Sequence, residues 1–169
     1  MIARVLALYR PLLVAALIAA VAVGLNYAAR SAESSSPATN RSLLDPAETT
    51  GVIGDVSGAL ARVLSYTPTT LADTEKAAAE ALTGNAAKQY QQILAPVRAQ
   101  APAQRLSLTT RVVRAGVTTL EDDRARLLVF LDQQTARAGA PVGDPAAAQL
   151  TVTARRTDGR WRITDIRSS

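Results

Sequence analysis

The stretch Leu150–Ile166, LTVTARRTDGRWRITDI, decides the fold. Leu150, Val152 and Ala154 alternate with Thr151, Thr153 and Arg155, the period-two pattern of a strand with one covered face. Thr157-Asp158-Gly159 follows, and Asp-Gly readily takes the positive φ angles of a tight hairpin turn. Trp161 and Ile163 resume the alternation on a returning strand that ends near Ile166. Trp161 is the single tryptophan. Its alternation with Ile163 favours the core, where an aromatic ring removes roughly 150–250 Å² from water; exposed, it would instead mark an interface.

Working back from this hairpin, the period stays near two. Ala136–Gln149 holds Gly139, Gly143, Pro141 and Pro145 and reads as a long loop. Arg126–Gln133, RLLVFLDQ, is nearly continuous in apolar residues, which predicts a strand covered on both sides over part of its length. Glu121-Asp122-Asp123 is an acidic turn. From Arg105, Leu106, Leu108 and Thr110 face one way. Val113, Ala115 and Val117 share that face only if one residue is inserted around Arg111–Val112, which predicts a β-bulge. The expected sheet is an antiparallel meander of three long strands and a short one.

Ahead of the strands the period is near four. Asp45-Pro46 suits a helix N-cap and first position. Ile53, Val56, Leu60, Val63 and Leu64 give that helix one apolar face, and Tyr66-Thr67-Pro68 stops it. A second helix spans Leu71–Leu82, ended by Gly84. A third spans Ala86–Ala99, with Tyr90, Ile93, Leu94 and Val97 as its buried stripe. Pro96 predicts a kink or early end, and Ala101-Pro102 a break. Helices segregated ahead of a sheet imply an α+β domain, with the helices on one face.

The N-terminus has a different chemistry. Pro11–Ala29, PLLVAALIAAVAVGLNYAA, carries no charge; Arg4 and Arg10 precede it, Arg30 closes it, and Tyr9 and Tyr27 sit near its ends. As a helix its roughly 19 residues are about 28 Å long, close to a bilayer's hydrocarbon core. Ala28-Ala29-Arg30 puts a charge where a signal-peptide cleavage site wants a small residue. The run therefore reads as a retained single-pass anchor in the cytoplasmic membrane. Its cationic side stays inside and the C-terminal domain lies outside. Ala16, Ala20 and Gly24, spaced by four, are candidate helix–helix contacts within the bilayer. The Ser-rich segment Ser31–Leu44 reads as a flexible stalk, and its Asn40-Arg41-Ser42 sequon as a chance match. The divisions are thus 1–30 for tip and anchor, 31–44 for the stalk, and 45–169 for the domain.

Composition excludes several chemistries. The chain of 169 residues has no Cys and no His, which removes disulfides, Ser-His-Asp triads, Cys-His dyads and His- or Cys-based zinc sites. No cofactor is implied. The net charge is +5, but Arg4, Arg10 and Arg30 flank the anchor, and exposed aromatics for base stacking are scarce. Nucleic acid is not an expected partner.

Ser65-Tyr66, Gly84, Tyr90, VFLDQQT at 129–135 and the hairpin at 150–166 occur in an order that carries a resemblance. With the Arg-flanked span before them, they resemble the mammalian-cell-entry (Mce)-associated membrane proteins of actinobacteria, over roughly residues 10–167. The resemblance implies a nuclear-transport-factor-2-like fold, a cone of helices over a curved antiparallel sheet. It also implies a membrane-anchored accessory subunit of envelope transporters that move lipids or sterols. It carries over no catalytic motif.

Three sets of residues are candidate sites. Asp132 interrupts an apolar strand, as a catalytic base in a dry pocket does, but a His partner is absent; the plain alternative is that Asp132, Gln133 and Gln134 make structural hydrogen bonds. Leu127, Val129 and Leu131, with Asp132, are candidate linings of an apolar pocket for a lipid or sterol; they are equally what any core needs. Arg155, Arg156, Arg160, Arg162 and Arg167 crowd the last two strands. They form either a solvated sheet face or a surface that docks acidic protein or lipid head groups. The resulting expectation is a non-enzymatic subunit whose partners are the bilayer and the other subunits of a lipid-transport complex.

Overall fold

The computed structural model describes residues 45–138 and 142–168. The anchor at 11–29, its Ala16, Ala20 and Gly24, and the stalk at 31–44 lie outside the described residues. Among the described residues no helix is long and apolar enough to cross a membrane.

Three helices come first: α1 (Pro46–Val63), α2 (Leu71–Ala81) and α3 (Gly84–Gln104). Four strands follow: β1 (Leu106–Leu120), β2 (Arg124–Arg137), β3 (Ala146–Thr157) and β4 (Arg160–Ser168). They pair antiparallel in the order β1-β2-β3-β4, the expected meander.

The start of α1 follows the sequence: Asp45 caps it by accepting from the Glu48 N–H at 2.9 Å, and Pro46 opens it. Its buried face is Val52, Val56, Ala59, Leu60 and Val63; Ile53 and Leu64 flank that face, half-buried. Helix α2 ends at Ala81, earlier than Gly84. Leu82 turns extended, and the Thr83 N–H donates to the Ile163 carbonyl at 2.8 Å on the edge of β4. Gly84, at φ +56°, then starts α3.

Helix α3 neither ends at Pro96 nor breaks at Ala101-Pro102. It runs through Pro96 and past Ala101-Pro102 for 21 residues, to Arg105 at φ 49°. Tyr90, Leu94, Val97 and Ala101 form a buried stripe at helical spacing, and their packing outweighs the hydrogen bonds lost at two prolines. Ile93, expected in that stripe, is 36% exposed, one position off the buried face.

In β1 the slip expected around Arg111–Val112 falls between Val112 and Arg114. Val113 is the extra residue and stands 59% exposed, so it does not share the face of Ala115 and Val117. A second irregularity lies between Val117 and Thr119. The β1–β2 turn closes with Glu121 N–H to Arg124 carbonyl at 2.8 Å. The β3–β4 turn is Asp158-Gly159 at φ 53° and 76°, between the paired Thr157 and Arg160. Two positive angles make it the tight turn foreseen from Asp-Gly. The expected long loop is shorter, because β2 continues to Arg137 and β3 begins at Ala146.

The helices cover one face of the sheet. Leu120, Ala125, Leu127, Val129, Leu131, Leu150, Val152, Ala154, Trp161 and Ile163 form one buried cluster with α1, Ala78 and Leu82 at the end of α2, and α3. Strand β2 is therefore covered on one side, not two. Leu127, Val129 and Leu131 are 0–2% exposed, while Phe130, between them, is 40% exposed. A polar clamp ties α1 to β1. Buried Thr110 donates through its hydroxyl to the Leu64 carbonyl at 2.7 Å. Its N–H donates to Ser65 Oγ at 2.9 Å, and Gln133 Nε2 donates to its hydroxyl at 3.2 Å.

Candidate functional site

Every second residue of a covered strand points away from the core. On the face the helices leave open, arginine recurs among those residues on all four strands. Arg124 on β2 pairs with Arg155 on β3, which pairs with Arg162 on β4: three guanidinium side chains in line across three strands. Arg126 is next along β2, followed in phase by Leu128, Phe130 and Asp132. Arg114 lies opposite Phe130 and Arg111 opposite Asp132. Phe130 and the bulged Val113 give this basic face an exposed apolar centre.

Among the described residues few of these charges are paired. Arg155 Nε donates to Asp123 Oδ2 at 2.9 Å, a pair more than half exposed on both sides. Arg167 Nε donates to Asp165 Oδ2 at 2.7 Å. Arg162 Nε is buried with no hydrogen-bond partner among the described residues. The five arginines read as one group from sequence are therefore not one group. Arg155, Arg160 and Arg162 share the open face at its hairpin end, with Arg167 further along β4. Arg156 turns to the covered side. Its guanidinium lies over the Trp161 ring at 5.1 Å and its Nη1 reaches Glu48 Oε1 at 3.1 Å. That contact seals the edge of Trp161, which is 7% exposed, as expected of a core residue.

Asp132 does not join Leu127, Val129 and Leu131. It is exposed, on the opposite face of β2 and across from Arg111. The dry surroundings that a catalytic carboxylate or pocket lining requires are not around it. Gln133 and Gln134 do make structural hydrogen bonds, to Thr110 Oγ1 and to the Gly143 carbonyl. The three aliphatic residues belong to the packed core. Among the described residues no group of three or more His, Cys, Asp or Glu side chains is placed to hold a metal.

A second polar group sits on the helical side. The Tyr90 hydroxyl is buried with no hydrogen-bond partner among the described residues, near the Glu75–Arg98 ion pair, in which Arg98 Nη2 donates to Glu75 Oε2 at 2.8 Å. Burial first, then the Glu75 charge, push the Tyr90 phenol up to about 12, with Arg98 opposing.

Sequence reasoning missed Arg111, Arg114, Arg124, Arg126, Phe130 and Val113 as surface partners. A signal was present: in RARLLVF, Arg124 and Arg126 are in phase with Leu128 and Phe130, so these two apolar residues share the arginine face.

No protein-family model matches the chain. The uncharacterized protein Rv1362c of Mycobacterium tuberculosis is 39% identical over 103 residues, 60% of this chain. The chain spans about half the length of the curated relatives it matches, 47%. Among solved structures it is similar to CagV, a VirB8 homolog of the type IV secretion system of Helicobacter pylori, with a TM-score of 0.59, 11% identity and coverage of 71% of this chain and 97% of that one. It is also similar to a periplasmic fragment of TraM, with a TM-score of 0.53, 12% identity and coverage of 70% and 95%. A putative aromatic ring hydroxylase from Novosphingobium aromaticivorans gives a TM-score of 0.55, 16% identity and coverage of 74% and 90%. Identities this low establish a shared fold and not a shared role. The domain has the α+β fold of the nuclear-transport-factor-2-like and VirB8-like proteins.

Proposed function

We propose that the chain is a membrane-tethered, non-catalytic accessory subunit of a cell-envelope complex, with its α+β domain outside the cytoplasmic membrane. The observation that carries this reading is the contrast between the two sheet faces. The covered face is filled by core side chains, and the distinctive chemistry, arginine with exposed Phe130, is on the face left open for a partner. Similar folds occur in CagV of a secretion system and in a periplasmic fragment of TraM, which supports an envelope role. The uncharged run at 11–29 supports the tether.

The finer reading is support of a lipid or sterol importer of the mammalian-cell-entry type. It rests on the sequence resemblance. Confinement to the membrane raises the effective concentration of weak contacts, so a modest interface suffices. The alternative, an enclosed lipid ligand, would use Leu127, Val129 and Leu131, which the core already occupies. The test is crosslinking of the tagged protein in intact membranes, followed by purification in detergent. Lipid-transporter subunits are expected among the crosslinked products. Recovery of the protein alone, crosslinked or not, overturns the reading.

A further inference from the structure

We propose that the open sheet face docks on an anionic phospholipid surface. Arg124, Arg155 and Arg162 bind lipid phosphates, while Phe130 and Val113 enter the interfacial layer. This deepens the tethered-subunit reading and rests on it for the nearness of the membrane.

The arginine row is unfavourable for the isolated domain. Like charges directly opposite on neighbouring strands repel. Here three lie in line, and among the described residues Arg155 pairs with the exposed Asp123. Arg162 Nε is buried without a partner among the described residues. Arg124 and Arg126 form no ion pair among the described residues. Such a row is relieved by an external anion. Guanidinium forks match phosphate oxygens two at a time, and neighbouring strands lie about 4.8 Å apart, so adjacent arginines can share a phosphate.

The rest of the face points to a bilayer. Phe130 is about 20 Å along β2 from Arg124, in phase with it. With Val113 on its bulge it forms an apolar centre, 40% and 59% exposed respectively, beside the charges. Basic side chains around exposed aromatic and aliphatic groups are the chemistry of an anionic membrane interface. The chain between Ala29 and Pro46 spans at most about 55 Å, so a domain tethered through residues 11–29 stays within reach of the head groups. A second copy of the same face is disfavoured as occupant, because it sets arginine against arginine.

The chain has no native cysteine, so Val113→Cys on the full chain gives a single labelling site that leaves Phe130 in place. The labelled protein is reconstituted in phosphatidylcholine vesicles and in vesicles one third phosphatidylglycerol. A second label at Glu80→Cys, exposed on α2, serves as control. With an environment-sensitive dye at 113, the anionic vesicles should give a blue shift and at least twofold quenching by a lipid-borne quencher. High salt should reverse both, and the neutral vesicles and the 80 site should show neither. The Arg124→Gln/Arg155→Gln/Arg162→Gln variant should lose at least half the shift. Equal emission in both lipids overturns the proposal. So does a shift that survives in the variant, or one that appears only when an acidic protein is added. Flotation with neutral vesicles in alkaline carbonate reads the tether separately. Failure to float with a charge-dependent shift at 113 overturns the tether and keeps the docking face.

Discussion

The two faces of one sheet do opposite work. On the covered face, Leu127, Val129 and Trp161 are shut away with the helices. On the open face, in the same strands and one residue out of phase, stand Arg126, Phe130 and Arg162. The first set belongs to the buried core; the second lies outside it. Because the pleat separates the two sets, either can change with little effect on the other.

That contrast breaks first if core truncation is mild. Trp161→Ala removes a buried ring and the base under Arg156, and should cost about 3–5 kcal/mol in urea unfolding, against about 5–15 kcal/mol for a whole domain. Phe130→Ala on the open face should stay within about 0.5 kcal/mol. Comparable losses for the two would dissolve the distinction. Next in size is the clamp between α1 and β1. Thr110→Val leaves the Leu64 carbonyl and Gln133 Nε2 without their partner, and should cost about 1–3 kcal/mol in the same assay.

Alkaline pH sharpens the same division from the helical side. The Tyr90 phenol is raised from 10.0 to about 12 in the fold. Its contribution is complete below pH 10, where the phenol is protonated both folded and unfolded. It is lost as pH rises from 10 to about 12, because the unfolded chain ionises first. Burial raises Tyr66 too, so it loses stability in the same direction above pH 10. Tyr90→Phe should flatten the alkaline limb of a denaturation series and leave stability at pH 7 unchanged or higher, since the hydroxyl has no partner among the described residues. A limb unchanged in Tyr90→Phe would place its origin elsewhere. The smallest effect is on α1: Gly54→Ala meets nothing within 4 Å and should stabilise by about 0.5–1 kcal/mol through helix propensity alone.

How much of this was legible varies with the physics of each element. The last hairpin was readable because alternation and turn chemistry agree: Leu150, Val152 and Ala154 mark a face, and Asp158-Gly159 supplies the two positive φ angles. The Asp45-Pro46 start was readable because capping is local. The length of helix α3 was underestimated because the prolines were weighed as local stops without the tertiary packing of Leu94, Val97 and Ala101. RLLVFLDQ was misread because Leu128 and Phe130 are apolar on an uncovered face, where apolar character does not report burial. The arginine row was out of reach because it depends on register. Arg124, Arg155 and Arg162 are far apart in sequence, and pairing alone brings them into line.

The most direct measurement of the division between the faces is the thermal midpoint of the Arg124→Gln/Arg155→Gln/Arg162→Gln variant beside the parent chain. Removing three mutually repelling charges from a face that supports no core should leave the midpoint unchanged or raise it. A fall of more than about 5 °C, on the order of 1 kcal/mol or more for a domain this size, would mean that the arginine row is part of what holds the fold together.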